Sequence, residues 1–382
     1  MPGTRSFRQR LAFQSALLYA NLVRRHRASK EFSAPPRHIL IAIPTLLGDL
    51  VMAAPAIALL AQRNTQANIT LLVRPEMVEF CRAYFPCHFV LPWVKTASCL
   101  FRLRGHIATK RVDYCVVMID NKMVPIVRAA GAQRILAFPD PKGRHEGDAD
   151  IVVPYPDKPC SLVDLFLRLA NAAPNQDPGS PHEVLPRLQP DCGPDSALPP
   201  GLAYAIIHAG AGKPTRIWGK ERYIAAARYL VEHDLHLVFT GSLAEAPLCE
   251  EIMAGLPSGS ATLLAGKTDI LELVSVLAQA RLALGPDTGV MHLAKALGCP
   301  ALILMGPSQK ETFSYSSWRG GGICLYVDGL ECRDKRDLFG HRFPGIATCS
   351  RNQCLYPDTP CMSGITTEAV IDSLAELIRQ SS

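Results

Sequence analysis

The stretch from Leu282 to Gly298 constrains the fold most. Leu282 to Leu284 is an apolar run that reads as a buried strand, and Pro286 ends it. Asp287 or Thr288 can cap a helix after it, in which Met291, Leu293, Ala294 and Leu297 keep helical spacing as far as Gly298. The result is a strand, a short polar turn and a helix. A helix N-terminus offers free N–H groups and positive potential, which suit a phosphate. Gly289 lets a ligand approach the backbone, Thr288 adds a hydroxyl, and His292, one turn in, can donate to a diphosphate oxygen. An ordinary capped helix with a core histidine has the same pattern.

Similar units recur along the chain. Strands are predicted over His38 to Pro44, Asn68 to Arg74, His88 to Trp93, Tyr114 to Asp120 and Arg134 to Phe138, with helices over Leu47 to Arg63, Glu76 to Tyr84 and Met123 to Ala130. Pro55 either kinks the Leu47 helix or belongs in its first turn. After a Pro- and Gly-rich connection at 174–201, which holds a possible edge strand at Glu183 to Leu188, the alternation resumes. The second set of strands is Tyr204 to His208, His236 to Thr240, Ala261 to Ala265, Leu282 to Leu284 and Ala301 to Met305. The helices between them are Glu221 to His233, Ala244 to Ala254 and Asp269 to Ala280. Strands alternating with helices give a mainly parallel sheet, so the expectation is an α/β chain of two Rossmann-like, doubly wound domains facing a central cleft. The second sheet is expected to have five strands.

The expected organisation is a basic arm at 1–37, a first domain at 38–173, a linker at 174–201, a second domain at 202–365 and a C-terminal helix at 366–382. The arm carries Arg5, Arg8, Arg10, Arg24, Arg25, Arg27, Lys30 and Arg37 against Glu31. Its charge of +7 exceeds the whole chain's +6, so the rest carries −1. Phe7, Leu11, Leu18 and Leu22 form one helical stripe within it. This pattern fits a helix lying on an anionic membrane and equally a helix packed on the protein. Nucleic acid is not an expected partner, because the basicity stops at the arm. The thirteen cysteines are odd in number and mostly embedded in apolar runs, as in Tyr114-Cys115-Val116. They point to reduced thiols in a reducing compartment. No signal-peptide pattern and no apolar run of spanning length is present, so a cytoplasmic location is expected.

Four places carry candidate chemistry. Pro44-Thr45-Leu46-Leu47-Gly48-Asp49 follows the first strand, where open α/β sheets bind ligands. Asp49 there is either a general base or a helix-start carboxylate that favours the dipole. The loop Ala209 to Lys220 joins glycines to Lys213, Arg216 and Lys220, a composition suited to an anion and equally found as ordinary surface charge. Thr240-Gly241-Ser242 ends another strand. Cys324, Cys332, Cys349, Cys354 and Cys361 lie in a Gly-, Arg- and Pro-rich tail segment. Cys332, Cys349, Cys354 and Cys361 are candidate ligands of a structural metal, with spacings looser than a zinc ribbon's, and partly buried thiols are the alternative. No Walker lysine motif is present and no GxGxxG follows a strand, which disfavours an NTPase or an NAD dehydrogenase.

Together these pieces resemble the bacterial lipopolysaccharide heptosyltransferases, glycosyltransferase family 9, of GT-B fold. The matching residues are Leu47-Gly48-Asp49 with Pro55-Ala56-Ile57, Arg216-Ile217-Trp218, Thr240-Gly241, Ala265-Gly266-Lys267-Thr268 and Asp287 through Gly298. They run in family order from about residue 38 to the C-terminus. The resemblance implies inverting transfer of heptose from ADP-heptose to a hydroxyl of the lipopolysaccharide core, at the inner face of the inner membrane. It implies Asp49 as base and Arg216 as the diphosphate cation. Thr240, Gly241, Lys267, Asp287, Thr288, Gly289 and His292 become donor-binding residues. Neither a catalytic metal nor a cofactor is expected, because no carboxylate pair of DxD type stands near the donor loops. The same resemblance implies that the C-terminal helix packs toward the first domain. Many members have Lys at the position of Arg216 and Pro at that of Gly219, and the basic arm is not a feature of the family core. The alternatives are a non-catalytic assembly factor that binds a nucleotide sugar or lipid core, and a nucleotide-sugar epimerase.

Overall fold

The apolar runs that lack alternation are buried on both faces. In the computed structural model, which describes residues 7–22, 35–119, 122–140, 148–158, 160–174, 198–199, 201–313, 321–338, 341–342 and 347–381, they build two six-stranded sheets. The first contains β1 (His38–Ala42), β2 (Asn68–Val73), β3 (Phe89–Pro92), β4 (Tyr114–Val117), β5 (Ile135–Ala137) and β6 (Ile151–Val152), in the order 3-2-1-4-5-6. The second contains β7 (Tyr204–Ile207), β8 (His236–Phe239), β9 (Ala261–Leu263), β10 (Leu282–Pro286), β11 (Ala301–Leu304) and β12 (Gly322–Leu325), in the order 12-11-10-7-8-9. All pairings within both sheets are parallel.

Counted from its own first strand, the second sheet has the order of the first. Both are doubly wound, and their strand order reverses between β1 and β4 and between β7 and β10. The sheets belong to separate compact units. Asp49 follows β1, Arg216 follows β7 and Asp287 follows β10. Each therefore leaves the carboxyl end of a strand beside a switch point, where such sheets place ligands.

In the first unit, α1 (Phe7–Leu22) packs on α4 (Ala97–Lys110) and α5 (Met123–Ala129). Phe13 and Ala16 enter the core there, and Phe13 meets Trp93 edge to face. The stripe expected from the sequence is not the packed one, because Leu11 and Leu18 are 54% and 66% exposed. The side chains of Phe7 and Leu22 lie outside the described set. Helix α2 (Leu47–Arg63) runs unbroken through Pro55, with α3 (Val78–Tyr84) following β2. Helix α6 (Leu162–Asn171), not foreseen from the sequence, covers α2, and the Arg63 guanidinium donates to Asn171 Oδ1 at 2.8 Å.

In the second unit, α7 (Lys220–Glu232), α8 (Ala246–Met253), α9 (Ile270–Gln279) and α10 (Gly289–Ala296) alternate with the strands. Short α11 (Lys310–Phe313) and α12 (Pro360–Ser363) precede α13 (Thr367–Ser381). One expectation needs correction. The sheet has a sixth strand, β12, paired to β11 along its whole length. The C-terminal helix packs on α7, β11 and β12 of its own unit, because Val370, Leu374 and Leu377 complete that unit's core. The linker 174–201 falls mostly outside the described residues, as does the strand expected at Glu183 to Leu188.

Candidate active site

Strand β10 brings Gly285 against the chain leaving β7. A Cβ on Gly285 would stand 2.6 Å from the His208 carbonyl oxygen and 2.9 Å from Met291 Sδ, so glycine is what lets these two segments approach. The turn after it places Asp287 in the interior, 3% exposed. His292 Nε2 is 2.9 Å from Asp287 Oδ1, and the Ser308 hydroxyl donates to Oδ2. Arg216 Nη1 donates to the Asp287 backbone oxygen and Nη2 to Ser308 Oγ at 3.3 Å, with Asp287 Oδ2 3.6 Å away. Burial pushes the Asp287 carboxyl up, but the hydrogen bond and charge of His292, with Arg216 and Ser308, outweigh it and hold it at about 2. An ionised carboxylate only accepts, so His292 Nε2 carries the proton between them. That Nε2 orients Asp287, and Asp287 in turn orients Arg216.

The Arg216 side chain is 29% exposed, while its acceptors Asp287 and Ser308 stay buried. Thr288 takes extended angles as the N-cap of α10, but its side chain makes no capping bond. Its Oγ1 and Arg216 Nε are buried without a hydrogen-bond partner. Leaving buried donors unpaired costs about 1–3 kcal/mol each. Both stand beside the N-terminus of α10. A hydroxyl, a guanidinium and a helix N-terminus form a set of donors for an anion.

The other expected donor residues lie on neighbouring loops. Thr240 is buried and its Oγ1 is 3.2 Å from His208 Nδ1. The Gly241 carbonyl accepts from Gly266 N at 2.8 Å, and Lys267 stands exposed on that turn. Sequence reasoning missed two residues. Ser308 has no local signal, because its partner Asp287 is 21 residues away. Glu245 had one, since Ser242 and Glu245 form a capping box. Its carboxylate lies over the two glycines of the site: a Cβ on Gly210 would stand 2.3 Å from Glu245 Cδ, and one on Gly241 3.2 Å from Glu245 Oε2. Gly219 takes φ +107°, which proline cannot adopt, so the path into α7 differs from one with proline at that position.

In the first unit, Asp49 is half-buried in the first turn of α2, and Thr45 Oγ1 donates to its Oδ2 at 2.6 Å. A cavity of about 670 Å³ in this unit is lined by Pro44, Arg74, Trp93, Lys95 and Lys122, with Phe13 of α1 in its wall.

Among the described residues, no group of three or more His, Cys, Asp or Glu is arranged to hold a metal ion. Cys332, Cys349, Cys354 and Cys361, the expected ligand set, stand near enough that their thiols act on one another electrostatically. Cys349 N donates to the Pro307 carbonyl at 3.0 Å, Cys361 is buried in the core, and Arg351 Nη1 is 3.8 Å from Cys349 Sγ.

Residues 190–341 match the family model of glycosyltransferase family 9 (heptosyltransferase). The chain is 31% identical over 101 residues to lipooligosaccharide heptosyltransferase 2 of Haemophilus influenzae, covering 26% of this chain and 29% of that protein. It is 30% identical over 101 residues to lipopolysaccharide heptosyltransferase 2 of Escherichia coli, with the same shares of 26% and 29%. These matches span less than a third of either relative. The structure of Escherichia coli ADP-heptose lipopolysaccharide heptosyltransferase II superposes with a TM-score of 0.67 at 19% identity, covering 90% of this chain and 99% of that one. The glycosyltransferase family 9 structure from Veillonella parvula superposes with a TM-score of 0.69 at 15% identity, covering 92% and 100%. The fold is therefore GT-B.

Proposed function

Starting from a chain whose residues 190–341 belong to glycosyltransferase family 9, we propose that it is an inverting heptosyltransferase. It moves a heptose from ADP-heptose to a hydroxyl of the lipopolysaccharide core. The observation that carries this reading is the Arg216 guanidinium fixed on Asp287 and Ser308 beside the unpartnered Thr288 hydroxyl. That group suits a diphosphate. Negative charge grows on the diphosphate as the sugar leaves, and preorganised donors aimed at it are the largest source of electrostatic catalysis. Glu245, over Gly210 and Gly241, suits the hydroxyls of a ribose, which can donate to its carboxylate.

Asp49 is the base. Thr45 donates to the carboxylate, which accepts the acceptor hydroxyl's proton as that hydroxyl oxygen attacks the anomeric carbon. The bond to the diphosphate breaks on the opposite face, which inverts the centre. Thr240, Gly241, Lys267, Gly289 and His292 join Arg216, Asp287 and Thr288 as the donor set of this proposal. The basic arm, with Leu11 and Leu18 exposed on α1, serves attachment to the inner face of the inner membrane, where a lipid-borne acceptor lies.

Incubation with ADP-heptose and heptose-deficient core lipid tests the reading. The expected product is heptosylated lipid with release of ADP. Asp49→Asn is expected to lower turnover by about 10²–10⁴-fold with ADP affinity nearly unchanged. Binding without transfer would leave an assembly factor, and altered free sugar would indicate an epimerase.

A further inference from the structure

Arg216 is the last residue of a single 3-10 turn, Pro214–Arg216, at the end of a glycine-containing loop. Within the turn only the Arg216 N to Lys213 O bond (3.0 Å) and the Ile217 N to Pro214 O bond (3.1 Å) hold the backbone. One such turn fixes few dihedrals and is marginal by itself. Two side chains beside Arg216 reach out of it. Thr215, 4% exposed, donates through Oγ1 to the Arg351 carbonyl at 3.1 Å. Lys213 Nζ donates to the Ser350 carbonyl at 2.9 Å.

The segment they grip is itself tied down. Thr348 and Lys335 exchange two backbone bonds of 3.0 Å. The Arg351 guanidinium donates to the Cys332 carbonyl at 2.9 Å and to both oxygens of Asp334, a bidentate pair. Cys349 N donates to the Pro307 carbonyl, and Ala347 N to Gln309 Oε1 at 3.1 Å. Pro307 and Gln309 flank Ser308, the residue that holds the Arg216 guanidinium. Both ends of Arg216 are thus referred to residues 307–309. Its tip is held through Ser308 and its backbone turn through 347–351.

We propose that Thr215 and Arg351 are positioning residues for Arg216, and that residues 332–335 and 347–351 set where the diphosphate cation points. The inference rests on the donor site assigned under the proposed function. Removing the Thr215 hydroxyl leaves the Arg351 carbonyl without its donor and frees the turn. The guanidinium then loses registry with the diphosphate, while the nucleoside contacts on other loops stay in place. The effect falls on ligands that carry a β-phosphate.

Calorimetric titration of the full chain with ADP and with AMP tests this, using Thr215→Val, Thr215→Ser and Arg351→Met. Thr215→Val and Arg351→Met are expected to weaken ADP about tenfold and AMP about twofold at most, and Thr215→Ser to restore wild-type ADP affinity. In an Arg216→Gln background, Thr215→Val is expected to cost nothing further, since the clamp acts only through that arginine. Equal loss for ADP and AMP, or an undiminished cost in the Arg216→Gln background, overturns the proposal while the donor reading stands. A wild-type chain that binds no ADP overturns both. If Thr215→Val shows a collapsed melting transition, the Thr215→Ser and Arg351→Met titrations decide by the same criteria.

Discussion

Asp287 and His38 show how differently two buried titratable groups can be used. Asp287 is ionised because His292, Ser308 and Arg216 outweigh its burial. His38 has no such set of partners. Burial, with His106, Lys110 and His88 nearby, lowers its imidazole to about 4 against the opposing pull of Asp113. Its Nε2 is 2.7 Å from Thr70 Oγ1, which is also 2.8 Å from His106 Nε2, and burial lowers His106 as well. Below pH 6.5 the unfolded chain takes up a proton that the folded chain refuses, so stability falls as pH falls. The His38 contribution is fully present above pH 6.5 and is lost between there and about 4, up to about 3 kcal/mol. The melting temperature is expected to drop across that window, and His38→Phe, which keeps a ring against Phe89, to flatten the drop in part. An unchanged pH slope in the variant would assign the effect elsewhere. Residue-scale legibility follows the same division. Asp287, Thr288 and His292 share one turn and one helix, so their spacing announced them. Ser308 joins them only through the sheet, where β10 and β11 lie side by side, and no local pattern encodes that.

At the scale of elements, the legible pieces were those whose own sequence fixes both ends. Helix α9 has Asp269 accepting from Leu271 N and Glu272 N, with Glu272 completing the capping box, and its ends were foreseen. Helix α4 was missed although Thr96 caps it, because only Leu100, Leu103 and Ile107 are buried along it and its other face is polar. Strand β12 was missed because its backbone partners are all on β11, and a glycine-rich lead gives no alternation to read. Helix α1 shows the limit of periodicity most directly. The sequence offered Leu11 and Leu18 as its apolar stripe, but the core takes Phe13 and Ala16. This separates two functions on one helix. Phe13→Ala is expected to destabilise the first unit by about 3–5 kcal/mol, as loss of a buried aromatic does. Leu11→Gln with Leu18→Gln is expected to leave the melting temperature nearly unchanged and to reduce flotation with anionic vesicles, most clearly at low salt. Equal flotation of this double variant and wild type would count against the membrane role and leave the packing role intact.

For the whole molecule, the repeated strand order argues a division of labour. Each sheet has its own switch point. Among the described residues, only the second surrounds its switch point with a guanidinium-bearing turn, a capping-box carboxylate and close-approach glycines. Its parts come from loops after β7, β8, β9 and β10, of which β7 and β10 are buried throughout. A nucleotide diphosphate should therefore tighten segments scattered through the second unit and leave the first unit's backbone alone. Saturating ADP at about a hundredfold over its Kd adds roughly 2.7 kcal/mol to whatever opening exposes the bound loops. Hydrogen exchange with and without ADP is expected to slow at 208–219, 240–245, 264–268 and 286–292, and at 347–351 through the Thr215 and Lys213 bonds. Exchange over 38–63 is expected to remain as it was. The prediction follows from the proposed donor site, in which the charge of ADP meets Arg216 and the α10 N-terminus, whereas the Asp49 carboxylate repels a phosphate. Slowing confined to 43–49, or spread evenly over both units, would mean that the diphosphate is not held by the Asp287 turn.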